Sequence, residues 1–186
     1  MDFSELLAKR RSIRDYQEKE VSLDLVKAII RESCLAPSAT NGQPWRFIII
    51  HDRKLMKRLS DESKRNLLAL MEQSSSPLTS VYGAFLRNED YNVYYNAPCL
   101  VFIVGRKNHR SLRVDCALAA GYFMFAATAR GLGTCWIGLG LSIQDPELRQ
   151  EIGLPDDYTI VAPIILGYPN SVPAQPSREP RILKIL

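Results

Sequence analysis

The feature that most constrains the fold is a run from Cys116 to Ala129 that is apolar almost throughout. Wound as a helix, this run is apolar on nearly all sides, so it predicts a helix from Ser111 to Arg130 buried at the centre of a domain. Its 14 residues are too few to cross a bilayer, and no membrane helix is expected. Gly131 and Gly133 end the helix.

Buried strands are predicted before and after this helix. Continuous apolar or β-branched segments lie at 47–51, 99–105, 134–137 and 159–168. Helices are predicted at 2–10, 23–35 and 53–73, the last ended by Ser74 to Pro77, and a short one begins at Asp145 and ends at Gly153. This alternation indicates an α+β protein, a three-layer α/β/α sandwich on a mixed sheet. Residues 78–96 show no clear periodicity, and a lid is one interpretation.

Composition excludes several classes of protein. With 186 residues, 46% of them apolar, and no linker or repeat, residues 1–186 are expected to form one domain. The net charge of +4 is too small for a nucleic-acid-binding protein. Four isolated cysteines among apolar neighbours predict buried reduced thiols, and with two histidines no metal site is expected. The start of the sequence has no apolar leader, which favours a cytoplasmic protein.

The C-terminal segment 169–186 is predicted to be an extended arm. Its four prolines cannot continue a helix, and its end carries four apolar side chains: Ile182, Leu183, Ile185 and Leu186. An extended arm cannot easily cover its own domain, so these side chains are expected to pack on the sheet edge of a second copy. The arm therefore predicts a homodimer.

Cations cluster at 10–14, where Arg10, Arg11, Ser12 and Arg14 follow the first predicted helix. They could simply complement the negative end of that helix. Alternatively, the guanidinium groups and the hydroxyl could bind a phosphate, with Arg14 reaching another part of the ligand. Arg178 is a lone cation in the arm, and a solvated surface residue is its simplest interpretation. The spacing leaves these alternatives open.

Two glycine-containing segments are further candidates. Pro37 to Trp45 forms a tight loop whose backbone could lie against a planar ligand, although a plain connection is equally compatible with it. Thr134 to Gly140 is a strand that ends in glycines, which permits a close approach of another group. No dinucleotide-binding glycine motif, phosphate-binding P-loop or Ser-His-Asp arrangement is present. A chain this poor in catalytic side chains can be an enzyme if a cofactor carries the chemistry.

Together these segments resemble the FMN-dependent nitroreductase family. The matching motifs are RRSIRDY at 10–16, APSATNGQPWRF at 36–47, APCLVFIVG at 97–105, the helix from Asp115 into GLGTCWIG at 131–138, ILGYP at 165–169 and Arg178. They cover nearly the whole chain in the family's order. The resemblance implies an NAD(P)H oxidoreductase that transfers hydride in ping-pong fashion to nitroaromatic or quinone-like acceptors. It also implies a domain-swapped homodimer with shared active sites.

The resemblance also assigns roles to the candidate residues. It implies that Arg10 and Ser12 bind the FMN phosphate, that Arg11 adds a phosphate or ribityl contact, and that Arg178 closes over the phosphate. Arg14 would face the pyrimidine edge of the ring. From the partner subunit, the ring would be lined by Pro37, Ser38, Ala39, Asn41 and Gln43. Trp136, Ile137 and Gly138 would pass the reactive N5 atom, where a backbone N–H would donate.

One departure from the family concerns the arm, where Pro176 stands at the position of a second basic residue in many relatives. Other interpretations remain. The same fold could fragment its flavin or remove halogens reductively, or it could bind flavin without efficient turnover. A basic domain that binds an anionic partner through residues 9–14 is a further alternative, although four cations make too small a patch for nucleic acid.

Overall fold

The structure, a computed structural model, describes residues 2–73 and 77–186, with side chains omitted at 77–81. The helices are α1 (Phe3–Lys9), α2 (Leu23–Ser33), α3 (Arg53–Gln73), α4 (Pro77–Arg87), α5 (Leu112–Ala129) and α6 (Pro146–Glu151). The strands are β1 (Arg46–Ile50), β2 (Cys99–Arg106), β3 (Gly133–Trp136) and β4 (Tyr158–Gly167). The strands and the helices other than α4 confirm the predicted elements, with ends shifted by one or two residues. The helix end predicted at Ser74 to Pro77 lies largely outside the described residues.

The four strands form one sheet in the order β1-β2-β4-β3, and all three pairings are antiparallel. A mixed sheet was expected. Within the described chain, a parallel element occurs only as an isolated bridge between Ser12 and Thr134, outside the named strands. β3 is therefore covered along its outer side by the segment that carries the cations, whereas β1 is the other edge of the sheet.

Alternate residues of the central strands face two separate cores. Val101 and Ile103 pack in a cluster with residues of α2 and α5. Leu100 and Phe102 point the other way, into a cluster with residues of α3, α4 and α6. This period-2 alternation places helices on both faces of the sheet and confirms the three-layer architecture.

Helix α5 is buried along one face only, which corrects the expectation of burial on all sides. Its inner residues belong to the core, but Val114, Leu118 and Tyr122 are 65%, 40% and 43% exposed. These three are four residues apart and form one stripe on the helix surface. By length and composition, the 18 residues of α5 could also cross a membrane, and they are the one such segment in the described chain. The packing of its inner face on the sheet is that of a core helix.

Residues 77–87 form a helix where no periodicity was recognised. Its helical structure depends on packing against α3, because Leu86 is buried in the same cluster as Leu59 and Met71 of that helix. Aromatic residues and Gly83 weaken the local helix signal. The turn that follows is held by Lys64 of α3, whose buried ammonium donates to the carbonyls of Asn88, Glu89 and Tyr91 at 2.8–3.2 Å.

The arm is extended, as predicted. It begins in contact with the N-terminal segment, where the Asn170 backbone donates to the carbonyl of Asp15 at 3.1 Å. Beyond that point residues 171–186 form neither helix nor strand and are exposed. Ile182 and Ile185 are 70% and 84% exposed, and Leu183 and Leu186 are fully exposed. Apolar side chains in this state require a covering surface.

Candidate functional site

The cation-bearing segment lies directly against β3. The Ile13 backbone donates to the carbonyl of Thr134 at 2.9 Å, and a Cβ added at Gly133 would lie 2.6 Å from the Ile13 side chain. Gly133 therefore permits a close approach that no larger residue allows. Because the bridge to Thr134 is parallel, the segment runs in the same direction as β3. Arg14 thus lies toward Trp136, and Arg10 lies toward the start of the strand.

Arg10 and Arg178, from opposite ends of the chain, are close enough to interact electrostatically. Burial, Arg11 and Arg178 all lower the pKa of the Arg10 guanidinium. Within residues 2–73 and 77–186, none of these three arginines forms an ion pair with a carboxylate. Converging cations without carboxylate partners repel each other unless an anion joins them. This arrangement fits the phosphate of a bound ligand.

Arg11 is directed differently from Arg10. Its guanidinium donates to the carbonyls of Ala8 and Arg10, at the C-terminal end of α1. Here the simpler of the two sequence interpretations describes the side chain, because a cation at this position complements the helix end. The guanidinium of Arg11 would have to leave these carbonyls to contact a phosphate.

Cys135 lies between the two ends of the cation segment and was not singled out from the sequence. Burial raises the pKa of its thiol, against the opposite effects of Arg14, a hydrogen bond with Ser12, and Arg10. Ser12 is therefore within hydrogen-bond reach of this thiol, half-buried beside the cations. Cys135 could have been identified from its position in the sequence, because it directly precedes Trp136 to Gly138, which were predicted to pass the reactive edge of the ring. Cys99 and Cys116 are also buried free thiols, and Cys34 is half-buried.

Arg14 is packed against tyrosines of the turn after α4. Its guanidinium lies 5.7 Å from the centre of the Tyr95 ring, within the range of a cation–π contact. Tyr95 has a positive φ of 53°, and the Tyr91 hydroxyl donates to the Tyr95 hydroxyl at 3.2 Å. Residues in this backbone region carry strain that surrounding contacts must maintain. The turn 88–96 thus borders Arg14 and lies within residues 78–96, for which a lid was one interpretation.

Of the two backbone amides expected near the reactive atom, one is already engaged. The Ile137 N–H donates to the carbonyl of Pro163 at 2.8 Å, and the Ile137 side chain is buried. Gly138 is exposed, and a Cβ added to it would meet nothing within 4 Å. Gly138 is therefore the member of this pair whose backbone another molecule can approach. Trp136 is half-buried and packs against the core cluster of α2 and α5.

The loop that includes Pro37, Ser38, Ala39, Asn41 and Gln43 is strongly bent. Thr40, Asn41 and Gln43 have positive φ values of 51°, 54° and 43°. The Gln43 backbone donates to the Ser38 hydroxyl at 3.0 Å, and the Gln43 side chain donates to that of Asn41, also at 3.0 Å. Pro37, Ala39, Asn41 and Gln43 are exposed and Ser38 is half-buried.

Within one chain this loop and the cation segment are not brought together. The loop leads into β1, and the cations lie along β3, at the opposite edge of the sheet. Three strand spacings of about 4.8 Å separate these edges by roughly 14 Å. The structure thus assembles Arg10, Ser12, Arg14, Trp136, Ile137, Gly138 and Arg178 on one side and the loop on the other. No group of three or more metal-ligating side chains occurs in the part of the chain that is described.

Comparisons with known proteins show what the whole chain is similar to. A crystal structure of a nitroreductase with bound FMN from Bacteroides fragilis matches with a TM-score of 0.85 and 25% identity, over 100% of both chains. A nitrobenzene nitroreductase from Ectopseudomonas oleovorans is 29% identical, covering 91% of this chain and 88% of its own. An Archaeoglobus fulgidus protein, provisionally named an NADH dehydrogenase/NAD(P)H nitroreductase, is 26% identical over 89% of this chain and 84% of its own.

The family model with the description Nitroreductase family matches residues 7–168, which include both the cation segment and the loop before β1. The chain belongs to the Nitroreductase family, a family of oxidoreductases.

Proposed function

We propose that this protein is an FMN-dependent NAD(P)H oxidoreductase that reduces small aromatic acceptors such as nitroaromatics or quinones. The observation that carries the proposal is that Arg10 and Arg178 interact electrostatically near the start of β3, without carboxylate partners in the described chain. The exposed backbone of Gly138 lies beyond the other end of the same strand. An anion at the arginines and a flat group beside Gly138 are what a flavin mononucleotide offers. The bound FMN of the Bacteroides fragilis relative supports this assignment.

Each candidate residue has a separate task in this proposal. Arg10 and Arg178 neutralise the phosphate, and the Ser12 hydroxyl is close enough to add a neutral donor. Arg14, held on Tyr95, places a positive charge at the other end of the ligand. The Gly138 N–H is the donor available for the reactive edge of the ring.

The protein supplies binding and electrostatics rather than a proton-transferring side chain. When bound, FMN would supply the redox chemistry by accepting hydride from NAD(P)H and passing it to an acceptor that enters after the nicotinamide has left. Tyr91 and Tyr95 border Arg14 and would restrict the acceptor's space to flat molecules. Burial raises the pKa values of the Tyr16 and Tyr91 phenols and of the Cys135 thiol near the site, so these groups stay protonated at neutral pH. This agrees with a site in which no side chain takes up a proton.

A second copy of the chain completes the site in this proposal. The loop at 37–43 cannot reach the cations of its own chain, so the loop of a partner would line the ring with Pro37, Ser38, Ala39, Asn41 and Gln43. The exposed stripe of α5 supports a dimer, as does an adjoining apolar groove of about 390 Å³ whose lining includes Phe3, Leu35, Tyr122 and Phe125. We place the partner's arm along β1, because the opposite edge is already covered.

The acceptor is the most specific part of the proposal, because the fold and the cofactor site are compatible with more than one reaction. Reductive removal of a halogen, fragmentation of the flavin and binding without efficient turnover use the same fold and the same cofactor site. The proposal also takes residues 1–186 as one cytoplasmic domain. Neither nucleic acid nor a membrane is a partner in it.

The test is an anaerobic experiment on the purified full chain. We expect yellow protein that releases mainly FMN on denaturation, as measured by mass spectrometry, and that bleaches on addition of NADH or NADPH. Stoichiometric return of colour with nitrobenzene or a benzoquinone then identifies the acceptor class. Release of FAD, or failure of the protein to bind added FMN, would contradict the cofactor assignment. Bleaching without reoxidation by any of these acceptors would favour the halogenated aromatic acceptors instead.

A further inference from the structure

Asp115 is a buried carboxyl group that the proposed function does not yet use. It lies in the first turn of α5 and is 2% exposed. Within residues 2–73 and 77–186 it forms no ion pair. A buried carboxylate without a cation carries a large desolvation cost, which an apolar residue at the same position would not. Its presence therefore calls for a specific partner.

That partner is the loop before β1. Oδ1 of Asp115 accepts a hydrogen bond from the Ala39 backbone N–H at 3.1 Å, and Oδ2 accepts one from the Ser111 hydroxyl at 2.6 Å. The bond to Ala39 joins residues 76 positions apart. In the described chain it is the one long-range hydrogen bond to the segment Ser38 to Gln43, and the other hydrogen bonds of this segment are local.

The loop needs such a restraint because its backbone is strained. Three of its non-glycine residues have positive φ, among them the β-branched Thr40, for which this region is especially unfavourable. Strained backbone of this kind persists only where surrounding contacts determine it. The His109 ring lies nearby, since a Cβ added at Gly42 would be 3.7 Å from its Nε2 atom. The side chain of Asp115, held in turn by Ser111, fixes the start of the bent segment.

We propose that Asp115 is a positioning residue that holds the Ser38–Gln43 loop in the shape that receives the flavin ring of the partner subunit. The inference rests on the proposed function, because the loop's ligand is the cofactor assigned there. Asp115 itself lies beneath the loop and acts through the Ala39 amide. Core helix α5 thereby links its exposed dimer stripe and the ring-binding loop in one rigid element.

The test compares three variants of the full chain. Asp115→Leu removes both acceptors and should weaken FMN binding about ten- to a hundredfold and change the visible circular dichroism of bound FMN. Asp115→Asn keeps an oxygen for the Ala39 N–H and should stay within about threefold of the wild type. Ser33→Ala is the matched control, because it removes a buried 2.8 Å hydrogen bond to the Ala119 carbonyl of the same helix and leaves both partners of the Asp115–Ala39 bond intact. It should leave both readouts unchanged.

A fourth variant breaks the same bond from the other side. Ala39→Pro deletes the donor N–H at the first position of a 3₁₀ helix, where the preceding Ser38 is already extended (φ −143°, ψ 156°) and therefore compatible with proline. It should weaken FMN binding as Asp115→Leu does, and the double variant should lose no more than either single one. If Asp115→Leu does not fold, the inference is tested by the other two variants: Ala39→Pro should weaken FMN binding, and Asp115→Asn should not.

Three outcomes would overturn the inference. They are wild-type affinity and dichroism in Asp115→Leu or Ala39→Pro, equal losses in Asp115→Asn and Asp115→Leu, and additive losses in the double variant. Failure of the wild-type chain to bind FMN is a different result. It would overturn the proposed function, and with it the cofactor role of Asp115.

Discussion

The two edges of the sheet differ in whether the chain itself covers them. At β3 the chain covers its own edge, with Ile13 packed on Gly133 and the cations of residues 10–14 beside the strand. At β1 the edge has no strand beyond it in the described chain, and the loop that precedes it is exposed. One edge holds the charged half of the candidate site, and the other holds the half that would line a ring.

In the proposed function, this difference would leave a single chain with an incomplete site. Each half is held by its own contacts, the cations by β3 and the loop by Asp115. The two halves lie on opposite edges, so tertiary folding alone does not join them. A symmetric partner would bring the loop of one copy to the cations of the other, and it would cover the exposed apolar surface of α5 and the arm.

The largest effect is expected from loss of the arm. Deleting residues 173–186 removes Arg178 and four exposed apolar side chains, each of which would contribute about 1.5–3 kcal/mol when buried in a dimer. Subunit association and FMN binding should therefore fall together, measured by light scattering and by flavin content. Replacing only Ile182, Leu183, Ile185 and Leu186 by Ser retains Arg178 and should still disrupt the dimer. A monomeric wild-type chain that binds FMN fully would refute the proposal that the two halves of the site come from different chains.

The charged edge is tested by Arg10→Ala. Loss of one hydrogen-bonded cation should weaken FMN binding by about 1.5–3 kcal/mol, or ten- to a hundredfold, in fluorescence titrations. Arg11→Ala is the matched control and should weaken binding less than about threefold, because its guanidinium donates to carbonyls of α1. With FMN saturating, the rate of bleaching by NADH should change little in both. Equal losses of affinity would mean that Arg11 leaves the helix end when the ligand binds.

A smaller effect on stability is expected at the close contact of the same edge. Gly133→Ala introduces a Cβ 2.6 Å from Ile13 and should lower the free energy of unfolding by about 1–3 kcal/mol, as overpacking usually does. FMN affinity should decrease as well, because residues 10–14 must move away from β3. Denaturant unfolding of Gly121→Ala provides the control, since a Cβ at Gly121 meets nothing within 4 Å. Unchanged stability in Gly133→Ala would show that this edge is more adaptable than the packing indicates.

The smallest effect is expected from Arg14→Ala, which separates the ring end from the phosphate end. A cation near the ring favours the more negative reduced cofactor, and two charges about 4 Å apart in water interact by roughly 1 kcal/mol. For a two-electron couple, removal of the cation should lower the midpoint potential by roughly 20 mV. Redox titration of FMN-saturated protein measures this shift, with Arg10→Ala as the comparison. A larger decrease of the midpoint potential in Arg10→Ala than in Arg14→Ala would mean that Arg10, and not Arg14, is the arginine near the ring.

Much of the fold follows from local patterns in the sequence. The apolar run in α5, the β-branched strands and the proline-rich arm each reflect a property of a short segment, so their places were predictable within a residue or two. Helix α4 was missed because its helical state depends on packing against α3 rather than on its own residues. The burial of α5 was overestimated because composition gives apolarity, whereas the covering surface comes from other segments or from another chain.

For the candidate site, the residue types and, through the family's motifs, the segments that carry them could be read from the sequence. Their geometry depends on contacts that form when the chain folds. The fold directed Arg11 to the end of α1 rather than to the other cations, placed Cys135 and Tyr95 beside the segment, and engaged the Ile137 amide with Pro163. It also separated the loop from the cations and joined the loop to Asp115. The physical reason is that the direction of a side chain and the partner of an amide depend on contacts between residues far apart in the chain, which no local pattern records.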